Sequence, residues 1–344
     1  MTYVTLGSSG LKVSKIILGC AVYGSPDWYS WVQNEEESIK QIKAAYDAGI
    51  NTFDTANVYS NGQSEVVLGK AIKQENLPRD GIVVMTKVFH PVSRNIHEHL
   101  DGKATEYADT HRYVNQYGLS RKHIFDAVKK SLERLQLDYI DVLHCQEYDT
   151  STPIHETMRA LHDMVQLGWV RYVGMSNCRA WQYYAIVNHL TPFISMQTDY
   201  NLLYREDEKE MMPTLKYHGV VSIPWTSLAR GAMVMTLDEQ FAQPFDSRIP
   251  GGRKAWHNTI INRVEEIAFK RNVTMTQVAV AWSLGKECMH RATVHLLNAL
   301  GTTLVSIFVF LISNPFYAGG MNMVLTAVEV QYLEEPYNSQ MLRH

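Results

Sequence analysis

Short β-branched apolar runs alternate with longer amphipathic stretches along the chain, from about residue 15 to residue 285. In the stretch 120–135, Ile124, Val128 and Leu132 recur at the spacing that places them on one face of a helix. The pattern predicts strands at 15–19, 50–54, 82–87, 139–143, 170–175, 193–197 and 220–225. It predicts helices at 35–48, 64–73, 120–135, 154–167, 180–188 and 206–217.

Strands that alternate with helices form parallel sheets with right-handed crossover connections. Seven such units, with an eighth to close the sheet, predict an α/β fold of the (β/α)8 TIM-barrel type in one domain, residues 1–344. An open doubly wound sheet is the alternative. Polar clusters that follow many different strands favour the barrel, because barrel active sites are built at the carboxyl ends of the strands. These clusters read "FDTANVY", "MTK", "GMSN", "MQTDYN" and "PWTSLARG".

Composition narrows the possible partners. With 46% hydrophobic and 19% charged residues, the chain of 344 residues has the balance of a globular protein. A net charge of −3 argues against nucleic acid or an anionic membrane as the main partner. The four cysteines are scattered, which indicates neither a metal site nor a disulfide framework. Together with an N-terminus unlike a secretory signal, they predict a cytoplasmic protein. The oligomeric state is left open.

Three residues near the ends of two successive strands suggest proton-transfer chemistry. Tyr59 has an ordinary pKa near 10, so it donates a proton poorly at neutral pH unless a cation lowers that pKa. Lys87 supplies such a cation, and Asp54 keeps the lysine charged and oriented. This set can protonate a carbonyl oxygen while hydride arrives at the carbon. A structural Asp–Lys ion pair with an unrelated tyrosine is the alternative.

Longer motifs give a resemblance to a known family. The stretch "GINTFDTANVYSNGQSEVVLGKAI", followed by "VVMTK", "RYVGMSNCRAWQ", "FISMQTDYNLLYRE" and "PWTSLARG", resembles the aldo-keto reductase superfamily. The segment "GLSRKHIFDAVKKSLERLQLDYIDVL" is most similar to the aryl-alcohol-dehydrogenase-like reductases of fungi. The resemblance covers about residues 4–285 and resumes at 325–337. It implies a (β/α)8 barrel and reduction of a small carbonyl substrate with NADPH.

The resemblance also implies roles for individual residues. Tyr59 is then the proton donor, tuned by Lys87 and Asp54. The nicotinamide carboxamide is held by Ser176, Asn177 and Gln197, although Ser176 and Asn177 are equally suited to cap a helix. Trp225 stacks on the nicotinamide ring, unless it is simply a core residue. The loop around the pyrophosphate contains Thr226, Ser227, Leu228 and Arg230.

The first departure from the family lies in "DVLHCQEYD", where relatives read like "DVLQIHRYD". Gln146 occupies the position of the family's catalytic histidine, and His144 lies one inward position earlier. Gln146 can orient a carbonyl oxygen but cannot titrate. His144 is interpreted either as a substrate-site residue or as a core histidine beneath the site.

The second departure follows residue 288. The stretch 289–320 loses the family pattern and with it the basic residue that grips the 2′-phosphate of NADP. Its uncharged apolar run, 304–312, is too short to span a membrane, which requires about 20 residues. A buried replacement helix and a wrongly assigned gene segment are the remaining interpretations. The NADP preference therefore depends on an atypical segment.

These features predict an NADP-dependent reductase of an aldehyde or ketone, either aromatic or belonging to fungal secondary metabolism. Trp28 and Trp31 follow the first strand, where they either line an aromatic substrate pocket or pack on the rim. The alternative function is a catalytically impaired barrel, a pseudo-enzyme or binding subunit, which Gln146 and the altered tail favour. The intact set of Asp54, Tyr59 and Lys87 favours the enzyme.

Overall fold

The computed structural model describes residues 1–100, 105–176, 184–185, 187–241, 252–286, 294–296 and 323–339. Ten strands occur in these ranges. The first two, β1 (Tyr3–Thr5) and β2 (Lys12–Ser14), form an antiparallel hairpin. The others are β3 (Ile16–Gly19), β4 (Thr52–Asp54), β5 (Val83–Val88), β6 (Ile140–Cys145), β7 (Val170–Ser176), β8 (Phe193–Thr198), β9 (Val221–Pro224) and β10 (Val294–Leu296).

Strands β3 to β10 form one parallel sheet in the order β10-β3-β4-β5-β6-β7-β8-β9. Residues of β10 also approach β9 to within 8 Å between Cα atoms, so the first and last strands of the sheet meet. The sheet is therefore closed, and the predicted (β/α)8 barrel is confirmed. All seven strands predicted from the sequence are present, with ends shifted by one or two residues.

The helices surround this sheet. They are α1 (Glu35–Asp47), α2 (Gln63–Gln74), α3 (Thr105–Thr110), α4 (Arg121–Leu135), α5 (Ile154–Gln166), α6 (Met211–His218), α7 (Leu237–Phe241), α8 (Ala255–Arg271), α9 (Met275–Gly285) and α10 (Ala327–Glu334). The Oγ of Ser120 accepts a hydrogen bond from the backbone N–H of His123 at 3.2 Å, which caps α4 at its start. Among the described ranges, none of the helices has the length and apolar composition needed to cross a membrane.

The N-terminal hairpin closes the amino end of the barrel. Leu6 and Val13 are fully buried and pack with Ile17, Val83 and Val142 from the barrel strands. Gly7 lies beneath this contact with a φ of 58°, and a Cβ there would be 2.3 Å from the carbonyl oxygen of Ile194. The hairpin leaves the carboxyl end of the barrel as the open end.

The C-terminal helix α10 is attached to α9 and to the loop after β8 by charged groups. Glu334 accepts hydrogen bonds from the Nη2 of Arg205 at 2.8 Å and from the Nε1 of Trp282 at 2.8 Å, and it pairs with Lys286 at 2.5 Å. The hydroxyl of Tyr337 donates to Glu206 at 2.7 Å. The resumed family pattern at 325–337 thus coincides with a segment docked on the barrel.

Other sequence predictions had mixed outcomes. The predicted helix 206–217 is divided into a 3-10 turn, Glu206–Glu208, and α6. Most of the predicted helix 180–188 lies outside the described residues. So does the atypical segment 289–320, apart from β10, whose backbone pairs with β3. The interpretations of that segment stay predictions.

Candidate active site

A buried ion pair lies at the carboxyl end of the barrel. Asp54 is the last residue of β4, and Lys87 comes from the neighbouring strand β5. The Nζ of Lys87 donates to Asp54 and to the carbonyl oxygen of Thr55, the latter at 2.8 Å. The Nε2 of Gln197, on β8, donates to the other oxygen of Asp54 at 3.2 Å. Asp54, Lys87 and Gln197 are each at most 3% exposed, so the structure places a charged, fully bonded group where catalysis occurs in barrels.

Tyr59 completes this group from a 3-10 turn, Tyr59–Gly62, that follows β4. The Nζ of Lys87 lies 5.1 Å from the centre of the tyrosine ring, so the ammonium group is beside the phenol. The structure therefore brings together Asp54, Tyr59 and Lys87 as the sequence predicts, and the tyrosine is not an unrelated surface residue.

The protonation balance differs from the one expected. Burial raises the pKa of Tyr59 above its usual value, and the nearby charge of Lys87 only partly opposes this effect. Burial would also lower the pKa of Lys87, but Asp54 and Tyr59 outweigh it and the pKa of Lys87 is raised. The lysine is held charged and the phenol is held protonated, so the tyrosine is a proton donor at rest.

His144 lies on β6, and Gln146 directly follows the end of that strand. Their spacing of two residues puts them on the same face of the strand. His144 is paired in register with Lys87 on one side and Gly174 on the other, and it is fully buried. Its Nε2 lies 2.9 Å from the Oγ of Ser195, which β8 contributes across Gly174. These contacts are those of a hydrogen-bonded core histidine beneath the site.

Gln146 lies closer to the opening than His144. Its backbone N–H donates to the carbonyl oxygen of Val88 at 3.0 Å, which extends the β5–β6 ladder by one step. The Oε1 of Gln146 is buried and has no hydrogen-bond partner within the described part of the chain. A buried polar atom of this kind costs about 1–3 kcal/mol unless a bound molecule satisfies it. This geometry suits a residue that contacts a ligand.

The residues expected to hold a cofactor lie on the adjoining strand ends. Ser176 ends β7 and is paired in register with Gln197 on β8. Trp225 follows β9, and its backbone N–H donates to the carbonyl oxygen of Thr198 at 2.9 Å. The guanidinium of Arg230 lies 5.6 Å from the centre of the Trp225 ring. Asn177 lies outside the described residues.

The loop 226–230 is held by its own polar groups. The hydroxyl of Thr226 donates to Asp199 and accepts from the Nδ2 of Asn201 at 3.0 Å. The hydroxyl of Ser227 donates to the carbonyl oxygen of Pro224 at 3.2 Å, and the carbonyl oxygen of Leu228 accepts from Gly231 at 2.9 Å. Both hydroxyls stabilise the loop itself. Arg230 is then the side chain of this loop best suited to an anionic group.

Comparison with known proteins agrees with this architecture. A profile described as "Aldo/keto reductase family" matches residues 15–318. The chain belongs to the aldo/keto reductase family. It is 42% identical to versiconal hemiacetal acetate reductase of Aspergillus parasiticus, over 98% of this chain and 97% of the relative. It is 42% identical to a candidate aryl-alcohol dehydrogenase of Schizosaccharomyces pombe, over 97% and 95% of the two chains. It is 46% identical to aldo-keto reductase AMT2 of Alternaria alternata, over 81% and 80%.

Membership of the aldo/keto reductase family makes this chain an oxidoreductase that acts on carbonyl groups. It also confirms the predicted likeness to fungal aryl-alcohol-dehydrogenase-like reductases. Clusters of three or more His, Cys, Asp or Glu side chains able to hold a metal ion do not occur in the described ranges of this reductase.

An aromatic cluster lies in the loop after β3. Trp28, Tyr29 and Trp31 are packed together, with 4.6 Å between the ring centres of Trp28 and Tyr29 and 5.3 Å between those of Tyr29 and Trp31. His99, from the connection after β5, stacks on Tyr29 at 4.0 Å. The Nε1 of Trp28 is buried without a hydrogen-bond partner among the described residues. The structure thus supports rim packing and leaves one donor available to a ligand.

Sequence reasoning missed several residues of this reductase that shape the site. The two most prominent are Asn61 and His90. The side chain of Asn61 donates a hydrogen bond to the connection 89–118, and the Nε2 of His90 lies 3.1 Å from Glu147. That connection also contains α3. Asn61 follows Tyr59 by two residues, but its partners lie more than thirty residues away, where no local sequence pattern connects them to it.

Proposed function

We propose that this chain reduces an aldehyde or ketone to an alcohol with NADPH, with Tyr59 as the proton donor. The observation that carries the proposal is the group formed by the buried Asp54–Lys87 ion pair and Tyr59 at the carboxyl end of the barrel. A charged lysine beside a protonated phenol stabilises the negative charge that develops on a carbonyl oxygen as it is reduced.

The side chains around this group suit a nicotinamide dinucleotide. Trp225 offers a partly exposed aromatic face, and Arg230 beside it offers a cation, which matches a flat ring joined to a diphosphate. Ser176 and Gln197 add neutral polar groups at neighbouring strand ends, and we propose that Asn177 joins them. When bound, the reduced nicotinamide supplies the hydride.

The chain's own residues supply the remaining chemistry. Tyr59 gives its proton to the substrate oxygen, while the ammonium group of Lys87, beside the ring, stabilises the resulting negative charge. Asp54 keeps Lys87 in place, and Gln197 keeps Asp54 in place. We propose that Gln146 orients the carbonyl oxygen through its amide without moving a proton.

The names of the relatives suggest the class of substrate. One acts on versiconal hemiacetal acetate, and another is named for aryl alcohols. The cluster of Trp28, Tyr29, Trp31 and His99 provides an aromatic surface near the opening. We therefore propose an aromatic carbonyl compound or a carbonyl intermediate of secondary metabolism as the substrate.

A non-catalytic barrel is the second candidate, and Gln146 is the observation that favours it. The proposal is tested by following the absorbance of NADPH at saturating benzaldehyde. The wild-type chain should consume NADPH in an aldehyde-dependent reaction, and Tyr59→Phe should lose at least about 10²-fold in kcat because the general acid is gone. The control is Tyr217→Phe, at an exposed position, which should match the wild type.

A titration separates binding from catalysis. NADPH should quench tryptophan fluorescence saturably in the wild type and equally in Tyr59→Phe, and Trp225→Phe should remove part of the quenching. Saturable quenching without turnover would support the non-catalytic barrel. Absence of quenching, or full activity of Tyr59→Phe, contradicts the reductase proposed here.

A further inference from the structure

The turn that carries Tyr59 has an unusual backbone. Three consecutive residues have a positive φ: Ser60 at 51°, Asn61 at 49° and Gly62 at 89°. A non-glycine residue in this left-handed region costs about 1–3 kcal/mol when the surrounding structure imposes the conformation. Such a conformation persists only where other contacts hold it, so the residues that grip this turn determine where Tyr59 points.

On one side, the turn is held by the side chain of Asn61, which is 8% exposed. Its Nδ2 donates to the carbonyl oxygen of Glu98 at 2.8 Å and to that of Asn95 at 3.1 Å. Its Oδ1 accepts from the backbone N–H of Ser93 at 3.3 Å. The amide thus uses both its donor and its acceptor atoms on the backbone of one segment, residues 93–98.

On the other side, the turn is held by Ser60. The Oγ of Ser60 accepts from the backbone N–H of Ser25 at 2.9 Å. Gly24 packs directly against it, since a Cβ at Gly24 would lie 2.4 Å from the Cβ and Oγ of Ser60. The turn therefore lies between the loop after β3 and the segment 93–98.

The segment 93–98 is itself a stable support. The carboxylate of Glu98 accepts hydrogen bonds from the hydroxyls of Tyr113 at 2.8 Å and Tyr107 at 3.0 Å, and from Ser93. The Nδ1 of the neighbouring His97 lies 3.1 Å from the carbonyl oxygen of Asp27, in the loop after β3 that carries the aromatic cluster. A displacement of this segment would therefore change the contacts of both the aromatic cluster and the turn Tyr59–Gly62, here called the catalytic turn.

We propose that Asn61 is a positioning residue, which holds the Tyr59 hydroxyl beside Lys87 by tying the catalytic turn to the segment 93–98. The inference rests on the proposed function for its kinetic consequence. Its structural consequence, the fixed position of the tyrosine ring, does not depend on turnover.

The decisive variant is Asn61→Gly. Glycine adopts a positive φ without strain, so this change removes the four side-chain hydrogen bonds of Asn61, including one to Ile96 at 3.4 Å, and leaves the backbone conformation allowed. We expect kcat to fall roughly 10- to 100-fold, because a displacement of about 1 Å in a reacting group is enough for that loss. The affinity for NADPH, measured by fluorescence quenching, should stay unchanged, since Asn61 contacts none of the residues proposed to hold it.

The matched control is Asn76→Gly. Asn76 is also an asparagine with a φ of 51°, but it is exposed and lies just beyond the end of α2. The Asn76→Gly change should leave kcat unchanged.

A second variant, Glu98→Gln, weakens the hydrogen bonds that hold the segment 93–98, because a neutral amide accepts hydrogen bonds less strongly than a carboxylate. It should lower kcat in the same direction as Asn61→Gly by a smaller factor.

A titration of the tyrosine itself completes the test. The chain is labelled with 13C at the tyrosine ring carbon that bears oxygen, and the Tyr59 signal is assigned by its loss in Tyr59→Phe. In the wild type, burial raises the pKa of Tyr59 above its usual value. In Asn61→Gly, water entering around a loosened ring should move that pKa back toward about 10.

The outcomes distinguish this inference from the proposed function. If the wild type reduces no carbonyl compound, the proposed function fails and the titration alone decides the role of Asn61. An Asn61→Gly protein with an unchanged Tyr59 titration overturns the inference, whatever its kcat. A shifted titration together with unchanged kcat in an active enzyme overturns it as well.

Discussion

At the scale of single residues, the feature that sets this site apart is Gln146, at the position where the sequence resemblance predicts a catalytic histidine. Gln146 has a buried Oε1 without a partner among the described residues, while His144, one inward position earlier, is bonded to Ser195. The two side chains therefore have different surroundings. One faces the opening and the other belongs to the barrel interior.

We expect Gln146→His to raise kcat by at least about 10-fold, since loss of one oriented catalytic group typically costs 10²–10³-fold. A histidine can also titrate, so the variant should gain an acidic limb in its pH–rate profile near about pH 6.5, the ordinary pKa of histidine. Steady-state rates between pH 5 and 9 measure both effects. A fall in kcat would mean instead that the glutamine is adapted to the substrate.

The positions of the candidate catalytic residues were predictable to the extent that they follow from strand position. Asp54 and Lys87 were found because they end predicted parallel strands, whose carboxyl ends must meet. The direction of the Tyr59 pKa shift was not found, because it depends on how deeply the phenol is buried, which sequence spacing does not contain. The role of Asn61 was missed for the same reason, since its partners come from a distant connection.

At the scale of elements, three neighbouring strands form one layer beneath the site. His144 on β6 reaches past Gly174 on β7 to Ser195 on β8. A Cβ at Gly174 would lie 2.4 Å from the Cδ2 of His144 and 2.8 Å from the Oγ of Ser195. The layer therefore requires a glycine at position 174 as long as His144 occupies the space beside it.

Gly174→Ala should destabilise the fold by roughly 1–3 kcal/mol, because the core must move to admit one methyl group. The double change Gly174→Ala with His144→Ala should be less destabilised than the sum of its two single changes. Urea unfolding monitored by circular dichroism measures these differences. Gly10→Ala is the control, since a Cβ there has nothing within 4 Å. Full additivity of the double change would show that the two positions do not compete for space.

The elements that the sequence predicted were those with a clear period. Each of the seven predicted strands had a run of apolar residues, and each predicted helix had one apolar face. The hairpin β1–β2 was missed because strands of three residues are too short to show alternation. Helix α3 was missed because it packs on a small local cluster of Leu100, Ala108 and Tyr113 instead of the barrel, within a stretch that is mainly polar.

At the scale of the whole molecule, charged pairs join the C-terminal helix to the barrel. Glu329, in the first turn of α10, accepts hydrogen bonds from Arg271 at the end of α8, one of them at 2.6 Å. The hydrogen bond with Arg271 is the main reason why the pKa of Glu329 is lowered to about 2. The pKa values of Glu98 and Glu208 are lowered too, whereas burial raises the pKa of Asp141.

A carboxyl group with a lowered pKa in the folded state stabilises the fold above its unfolded pKa, and the contribution is lost as the pH falls through the folded value. For Glu329 this window runs from the ordinary glutamate pKa of 4.5 down to its lowered pKa of about 2. We therefore expect the free energy of unfolding to decline across this range, with Asp141 opposing the decline in part because its shift has the opposite sign.

Glu329→Gln should flatten this decline. At pH 7 the variant should be less stable than the wild type by roughly 1–2 kcal/mol, since solvent screens a pair that is partly exposed, and the difference should shrink toward zero near about pH 2. Urea unfolding at a series of pH values gives both curves. Glu335→Gln is the control, because Glu335 is 68% exposed in its pair with Arg263 and should leave the slope as in the wild type. Parallel curves for Glu329→Gln and the wild type would show that the pair with Arg271 does not hold α10 to the barrel in solution.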